Sequence, residues 1–177
     1  MSLLIISGSS RENGNAEYLA KEAVASYKGE VKWIRLREHA IQQITDQRHD
    51  ENGFEHVDDD HTAIVEEMIK ADEILFATPL YWYGMSGHMK TFIDRWSQAL
   101  RNDSLNFKES MSGKPSYVIT CGGDQVQLKA LPLILQFRHI FEFMGMDFKK
   151  YFIGEARKPG DAANNAEQLK KVADFFI

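Results

Sequence analysis

The chain reads as a three-layer, doubly wound α/β fold with a five-stranded parallel sheet. Two observations predict it. Short apolar runs of strand length alternate with stretches of helical periodicity from one end of the chain to the other, the pattern of a parallel sheet with right-handed crossovers. The run Leu3 to Ile6 is continuously apolar rather than alternating, as expected of a strand covered on both faces. At 177 residues and 44% hydrophobic, the chain suits one domain, residues 1–177, with a full core.

The first strand is Leu3 to Ser7. Leu19, Ala20, Ala23, Val24 and Tyr27 then recur at helical spacing, and Gly29 is the expected C-cap of that helix. The second strand, Val31 to Leu36, is interrupted by Lys32 and Arg35, which suits a sheet edge. From Arg37 to Val57 no periodicity survives. The segment exceeds the roughly 12–15 residues beyond which structureless loops become uncommon, so a lid or wall over a ligand is expected of it. Asp58 to Asp60 mark a helix start, with Ile64, Val65, Met68 and Ile69 as its buried stripe.

The third strand, Glu73 to Thr78, runs into Pro79-Leu80-Tyr81-Trp82-Tyr83-Gly84. A helix follows whose Met89, Phe92, Ile93, Trp96 and Leu100 share a face. After a looser stretch, Arg101 to Lys114, come the fourth strand, Pro115 to Thr120, and the turn Cys121-Gly122-Gly123-Asp124. Leu131, Leu135, Phe141 and Met144 belong to the next helix, with Pro132 in its first turn and Gly145 as terminator. A fifth strand, Asp147 to Ile153, and a last helix, Ala163 to Phe176, complete the alternation.

Charge and composition exclude several function classes. A formal net charge of −5 argues against nucleic acid as the main partner, because phosphate backbones demand a basic face. Met1 leads almost directly into a strand, with neither a basic leader nor a long apolar helix, so no membrane span and a cytoplasmic location are expected. The one cysteine, Cys121, cannot form an intrachain disulfide, which agrees with a reducing compartment. Beside a buried strand end it reads as an inert packing thiol rather than a reactive one. The histidines and acids between His39 and His61 match no metal-ligand spacing, and a solvated acidic loop accounts for them.

Three turns carry the candidate chemistry, and all fall at carboxyl ends of strands, where ligands of doubly wound sheets bind. Ser7 to Asn15 is a strand-to-helix turn dense in donors, suited to a phosphate at a helix N-terminus. Ser9, Ser10, Asn13 and Asn15 add neutral donors, and Arg11 adds a positive charge. Its glycines fit neither the nucleoside-triphosphate loop nor G-x-G-x-x-G, so one terminal phosphate suits it better than a triphosphate. A plain polar turn capped by Asn15 is the alternative. In strand order 2-1-3-4-5 the switch point lies between strands one and three, making this loop a neighbour of Tyr81, Trp82 and Tyr83. A flat ring could stack there, with Gly122 and Gly123 opposite, although the aromatics could equally plug the sheet end or form a subunit contact. Flavin mononucleotide (FMN) has the required shape.

The run Gly8-Ser9-Ser10-Arg11-Glu12-Asn13-Gly14-Asn15 resembles the phosphate loop of the NAD(P)H-dependent FMN reductase family, of flavodoxin-like fold. The run from Thr78 through Tyr81-Trp82-Tyr83-Gly84 to Asp94-Arg95 resembles that family's second hallmark. The resemblance implies that Ser9, Ser10, Arg11, Asn13, Asn15 and Ala16 hold the FMN phosphate and that Pro79, Leu80, Tyr81, Trp82 and Tyr83 hold the ring. It also implies that Cys121, Gly122, Gly123 and Asp124 close on the ring. Ala16 stands where relatives often have Thr, removing one hydroxyl donor. The loop Arg37 to Val57 lacks the closely spaced cysteines of the related iron-sulfur flavoproteins, so no cluster is expected.

The implied activity is transfer of hydride from NADPH or NADH to bound FMN, then to a small electron acceptor such as a quinone, nitroaromatic, azo compound or free flavin, in a ping-pong cycle without an obligatory acid-base residue. A homodimer or homotetramer is implied. The rivals are a flavodoxin-type electron carrier without a nicotinamide site, and a flavin-free scaffold on the same fold.

Overall fold

The computed structural model describes residues 1–177. Five strands, β1 (Ser2–Ser7), β2 (Glu30–Arg35), β3 (Glu73–Pro79), β4 (Pro115–Gly122) and β5 (Asp147–Glu155), form one parallel sheet in the order β2-β1-β3-β4-β5. Ser7 pairs with Arg35 on one side and Ala77 on the other, and Pro79 pairs with Cys121, so the carboxyl ends of the central strands finish level. β2 is an edge strand, as its two cations suggested.

Alternation along β1 assigns the two faces of the sheet. Leu3 and Ile5 face α1 (Asn15–Val24) and α8 (Ala166–Ala173), meeting Leu19, Ala20, Ala23 and Val172. Leu4 and Ile6 face the other layer, built from α2 (His61–Lys70), α3 (Gly87–Asp94), α4 (Trp96–Ala99), α5 (Phe107–Met111) and α7 (Leu131–Met144). One short helix, α6 (Val126–Lys129), follows β4. No helix is long and apolar enough to cross a membrane.

Several boundaries differ from the sequence reading, each for a physical reason. α1 ends at Ala25, before Gly29, so Gly29 caps nothing; it is where the chain passes Met1, whose carbonyl oxygen would lie 2.3 Å from an added Cβ. The helix expected through Leu100 breaks at Arg95, a buried residue whose guanidinium donates to Asp59 Oδ2 (2.7 Å) and the Gln42 carbonyl (3.1 Å). The stretch from Arg101 to Lys114 is not merely loose, because Phe107 and Met111 bury themselves as α5. The last helix is a 3₁₀ turn, Asp161–Asn164, followed by α8, and stops short of Phe176.

On α7 the buried residues are Leu133, Ile134, Phe137, Phe141 and Met144, whereas Leu131 and Leu135 face outward. All four residues read from the sequence lie on this helix, but one so rich in apolar residues gives a weak periodic signal for which face is covered. Gly145 does terminate it, at φ 72°.

The loop after β2 opens with a 3₁₀ turn at Leu36–Glu38 and then has no regular secondary structure up to α2. Its anchors are the acids expected to start that helix. Asp60 Oδ2 accepts from the Ala40 N–H (2.8 Å) and Asp59 Oδ2 from the Gln42 N–H (2.9 Å). α2 does begin beside them, without a side-chain cap from Asp60.

Candidate functional site

A cleft opens across the carboxyl ends of β1, β3, β4 and β5. Its first wall is the β1–α1 turn. Ser9 is buried there, donating its hydroxyl to the Arg11 carbonyl (2.8 Å) and so folding the turn back on itself. Gly14 is the N-cap of α1 and offers no side-chain cap, so the first-turn N–H groups of Asn15, Ala16 and Glu17 have no protein acceptor. Glu17 would repel an anion at this helix end, but Arg35 Nε (2.8 Å) and Arg37 Nη1 (2.7 Å) bind its buried carboxylate and hold its pKa low against the opposing effect of burial. Arg11 makes no ion pair.

Asn15 is neither the cap nor a free donor. Its amide donates to the Lys158 carbonyl (2.9 Å) and accepts from the N–H groups of Gly160 (3.1 Å) and Ala162 (3.3 Å), tying α1 to the loop after β5.

Pro79, Leu80 and Tyr81 form the second wall and Cys121, Gly122 and Gly123 the third. The Leu80 N–H donates to the Cys121 carbonyl (2.9 Å), coupling these two walls. Burial pushes the Cys121 thiol up to about 12, with only partial offset from Arg11, so it stays protonated and unreactive at neutral pH. Ser10 lies outside the cleft lining, but its hydroxyl bonds the Tyr81 hydroxyl (3.0 Å) and links the first wall to the second.

The aromatic turn has an unusual backbone. Tyr81 and Gly84 exchange N–H···O bonds of 3.0 Å in both directions, and the two residues between them, Trp82 (φ 48°) and Tyr83 (φ 63°), are both left-handed. This is the geometry of a type I′ turn, which favours Asn-Gly, occupied here by two large aromatics. Asn13, Asp124 and Gln125 are also left-handed, so five of the six non-glycine residues with positive φ sit in the three turns around the cleft. Backbone strain of this kind concentrates at functional sites.

Of the residues singled out from sequence, the cleft brings together Ser9, Arg11, Asn15 and Ala16 with Pro79, Leu80, Tyr81 and the Cys121–Gly123 turn. It leaves Asn13, Trp82, Tyr83 and Asp124 off its walls. Asn13 accepts from Lys21 Nζ (3.3 Å), Asp124 pairs with Lys129, and Trp82 is 96% exposed beyond the cleft edge. The long loop after β2 supplies no lining residue, so it is no lid in this conformation; it packs instead against Arg95 and Gln98.

Sequence reasoning missed a fourth wall, Ala156-Arg157-Lys158-Pro159, directly after β5. Two adjacent cations at a strand's carboxyl end were the available signal. No three His, Cys, Asp or Glu side chains converge in the manner of a metal site, and His61 is buried beside Phe92, with its Nε2 3.2 Å from the Phe92 carbonyl.

Known proteins share this chain's sequence and fold. Residues 1–155 match the sequence family of NADPH-dependent FMN reductases. Over 170 residues the chain is 47% identical to "Putative NAD(P)H-dependent FMN-containing oxidoreductase YwqN" of Bacillus subtilis (strain 168), covering 96% of this chain and 93% of that protein. Among solved structures, the Trp repressor binding protein from Bacillus subtilis superposes with a TM-score of 0.79 at 38% identity, over 99% of this chain and 97% of that one. An FMN-dependent NADH-azoreductase from Bacillus anthracis, solved in complex with FMN, shares the fold with a TM-score of 0.69 at 13% identity, over 98% and 97% of the two chains.

Proposed function

The chain belongs to the NADPH-dependent FMN reductase family, and from that premise we propose that it binds FMN in the cleft and passes hydride from NAD(P)H to a small planar acceptor in a ping-pong cycle. The observation that carries this reading is the placement of the cleft. It lies at the switch point between β1 and β3, lined by an uncapped helix N-terminus and Arg11 together with Leu80, Tyr81 and the Cys121–Gly123 turn.

The donor set fits the cofactor. The unpartnered N–H groups of Asn15, Ala16 and Glu17 and the Arg11 guanidinium suit a phosphate dianion. Leu80 and Tyr81 offer apolar contact for a flat ring, and the Cys121–Gly123 backbone offers peptide groups for its edge. FMN, when bound, supplies the redox chemistry, and the protein's share is binding, orientation and exclusion of water. Ser9 shapes the phosphate turn, Tyr81 and Leu80 hold the ring, and the Cys121 thiol contributes packing rather than nucleophilic chemistry.

Quinones, nitroaromatics, azo compounds and free flavins are the acceptors proposed, since each can lie over a flat ring. Trp82 and Tyr83, projecting beyond the cleft edge, are placed to meet them. Exposed Leu128, Leu131 and Leu135 support assembly as a homodimer or homotetramer, which light scattering of the purified protein would test.

The decisive experiment is an absorption spectrum with FMN added, followed by anaerobic NADPH and then NADH. Bleaching by either nucleotide is the expected result. Reduction by dithionite alone would make the protein an electron carrier, and failure to bind FMN would overturn the reading.

A further inference from the structure

The cleft has an unusual charge for a protein of formal net charge −5, because Arg11, Arg157 and Lys158 line it and no Asp or Glu does. Arg11 and Lys158 form no ion pair, and Arg157 has only Glu155 at 3.8 Å, with both side chains largely exposed. An exposed pair at that distance neutralises little charge. The three cations are therefore left for a ligand.

The loop that brings two of them is held by its backbone, leaving their side chains free. Asp161 Oδ2 accepts from the N–H groups of Arg157 (3.0 Å) and Lys158 (2.7 Å), and the Ala156 N–H donates to the Gly122 carbonyl (2.8 Å). The Asn15 amide fastens the same loop to the first turn of α1 through Lys158, Gly160 and Ala162. The Arg157 side chain crosses Gly123 so closely that an added Cβ there would lie 2.7 Å from Arg157 Cγ. A side chain at position 123 would displace it.

We propose that Arg157 and Lys158 complete, with Arg11, a three-cation cradle that makes this cleft select a phosphorylated flavin over its dephosphorylated form, and that the Asn15 side chain is a positioning group for this cradle rather than a phosphate ligand. The inference rests on the FMN reading above and adds a second chain segment, far from the β1–α1 turn in sequence, to anion recognition. Like-signed charges on two segments repel until a dianion enters between them, so binding of the phosphate stabilises the junction that Asn15 makes. Exposed cations act through solvent, so the selectivity should weaken as salt screens them.

The test is a titration of FMN and of riboflavin into wild type, Arg157→Gln, Lys158→Gln and the double variant, followed by flavin fluorescence at low and at physiological salt. Each single variant should lose about 5- to 10-fold in FMN affinity, with riboflavin affinity unchanged. Lys158→Arg should restore the FMN affinity. Asn15→Ala should lower FMN affinity without altering riboflavin binding and should add nothing to the Arg157→Gln/Lys158→Gln double variant, since the Asn15 side chain acts by placing the loop that carries both cations. Equal losses for FMN and riboflavin, or a double variant that binds FMN as wild type does, would overturn the cradle while leaving the reductase reading intact. A wild type that binds no FMN would overturn both.

Discussion

Trp82 gives the sharpest test of the idea that the aromatic turn is strained for function. It sits at φ 48° and is 96% exposed, so replacing it removes almost no packing while changing the backbone cost. A non-glycine residue in the left-handed region carries roughly 1–2 kcal/mol, which glycine does not. Against this stands the extra freedom glycine gives the unfolded chain, about 0.4–1 kcal/mol. The difference spans about 0 to 1.6 kcal/mol, so Trp82→Gly should stabilise the flavin-free protein by about 0.8 kcal/mol at the midpoint, equivalent to about 2–3 °C in Tm for a chain of this size. Trp82→Ala keeps the Cβ and the strain, so its stability should stay within about 0.5 kcal/mol of wild type. Urea unfolding of flavin-free samples is the assay, because bound cofactor would add its own linkage term. Both variants should turn over an acceptor more slowly than wild type. A glycine variant no more stable than the alanine one would refute the strain argument.

Other perturbations probe separate parts of the molecule. Arg11→Ala should weaken FMN by about 1.5–3 kcal/mol if its guanidinium meets the phosphate, and unchanged affinity in an equilibrium titration would remove it from the site. The Ser10–Tyr81 hydroxyl pair bridges two walls of the cleft, so Ser10→Ala and Tyr81→Phe should each speed FMN release by roughly 3- to 10-fold, the worth of one hydrogen bond, and unaltered release rates would make the bridge incidental. His61 has its pKa lowered from 6.5 to about 4, chiefly by burial and then by Arg95. The unfolded chain therefore takes up a proton that the folded one refuses, and stability should be full above pH 6.5 and fall as the pH drops toward 4, by roughly 2 kcal/mol at pH 5. His61→Leu should flatten urea midpoints over that window, and an undiminished slope would place the titrating group elsewhere.

The parallel sheet was legible because continuous apolar runs have few other uses in a chain of this length, and strand order placed the β1–α1 turn beside Tyr81 without any side-chain detail. Helix faces were less legible. Outward-facing Leu131 and Leu135 look no different in sequence from buried Leu133 and Ile134, since only the tertiary partner decides which face of an apolar helix is covered. The function of Asn15 was hidden for a related reason. An asparagine at a helix start predicts a local cap, but its three bonds run to residues more than 140 positions away, where no local rule applies.

The strained turns were illegible for a more informative reason. Trp-Tyr is a poor choice for a type I′ turn on propensity alone, and nothing in its composition announces φ above zero. The conformation survives because Tyr81 and Gly84 close the turn with two mutual bonds, while the Pro79–Cys121 pairing fixes its entry and Ser86, whose N–H donates to Thr78 Oγ1 (3.1 Å) and whose hydroxyl donates to the Gly8 carbonyl (2.6 Å), fixes its exit. A natural sequence satisfies local preferences nearly everywhere, so a site where it overrides them beside a cleft marks selection for something other than stability. Here the override leaves one indole exposed at the edge of the cleft. Asparagine and glycine would make the turn more cheaply and, on the function proposed above, would leave a flat acceptor nothing to stack against.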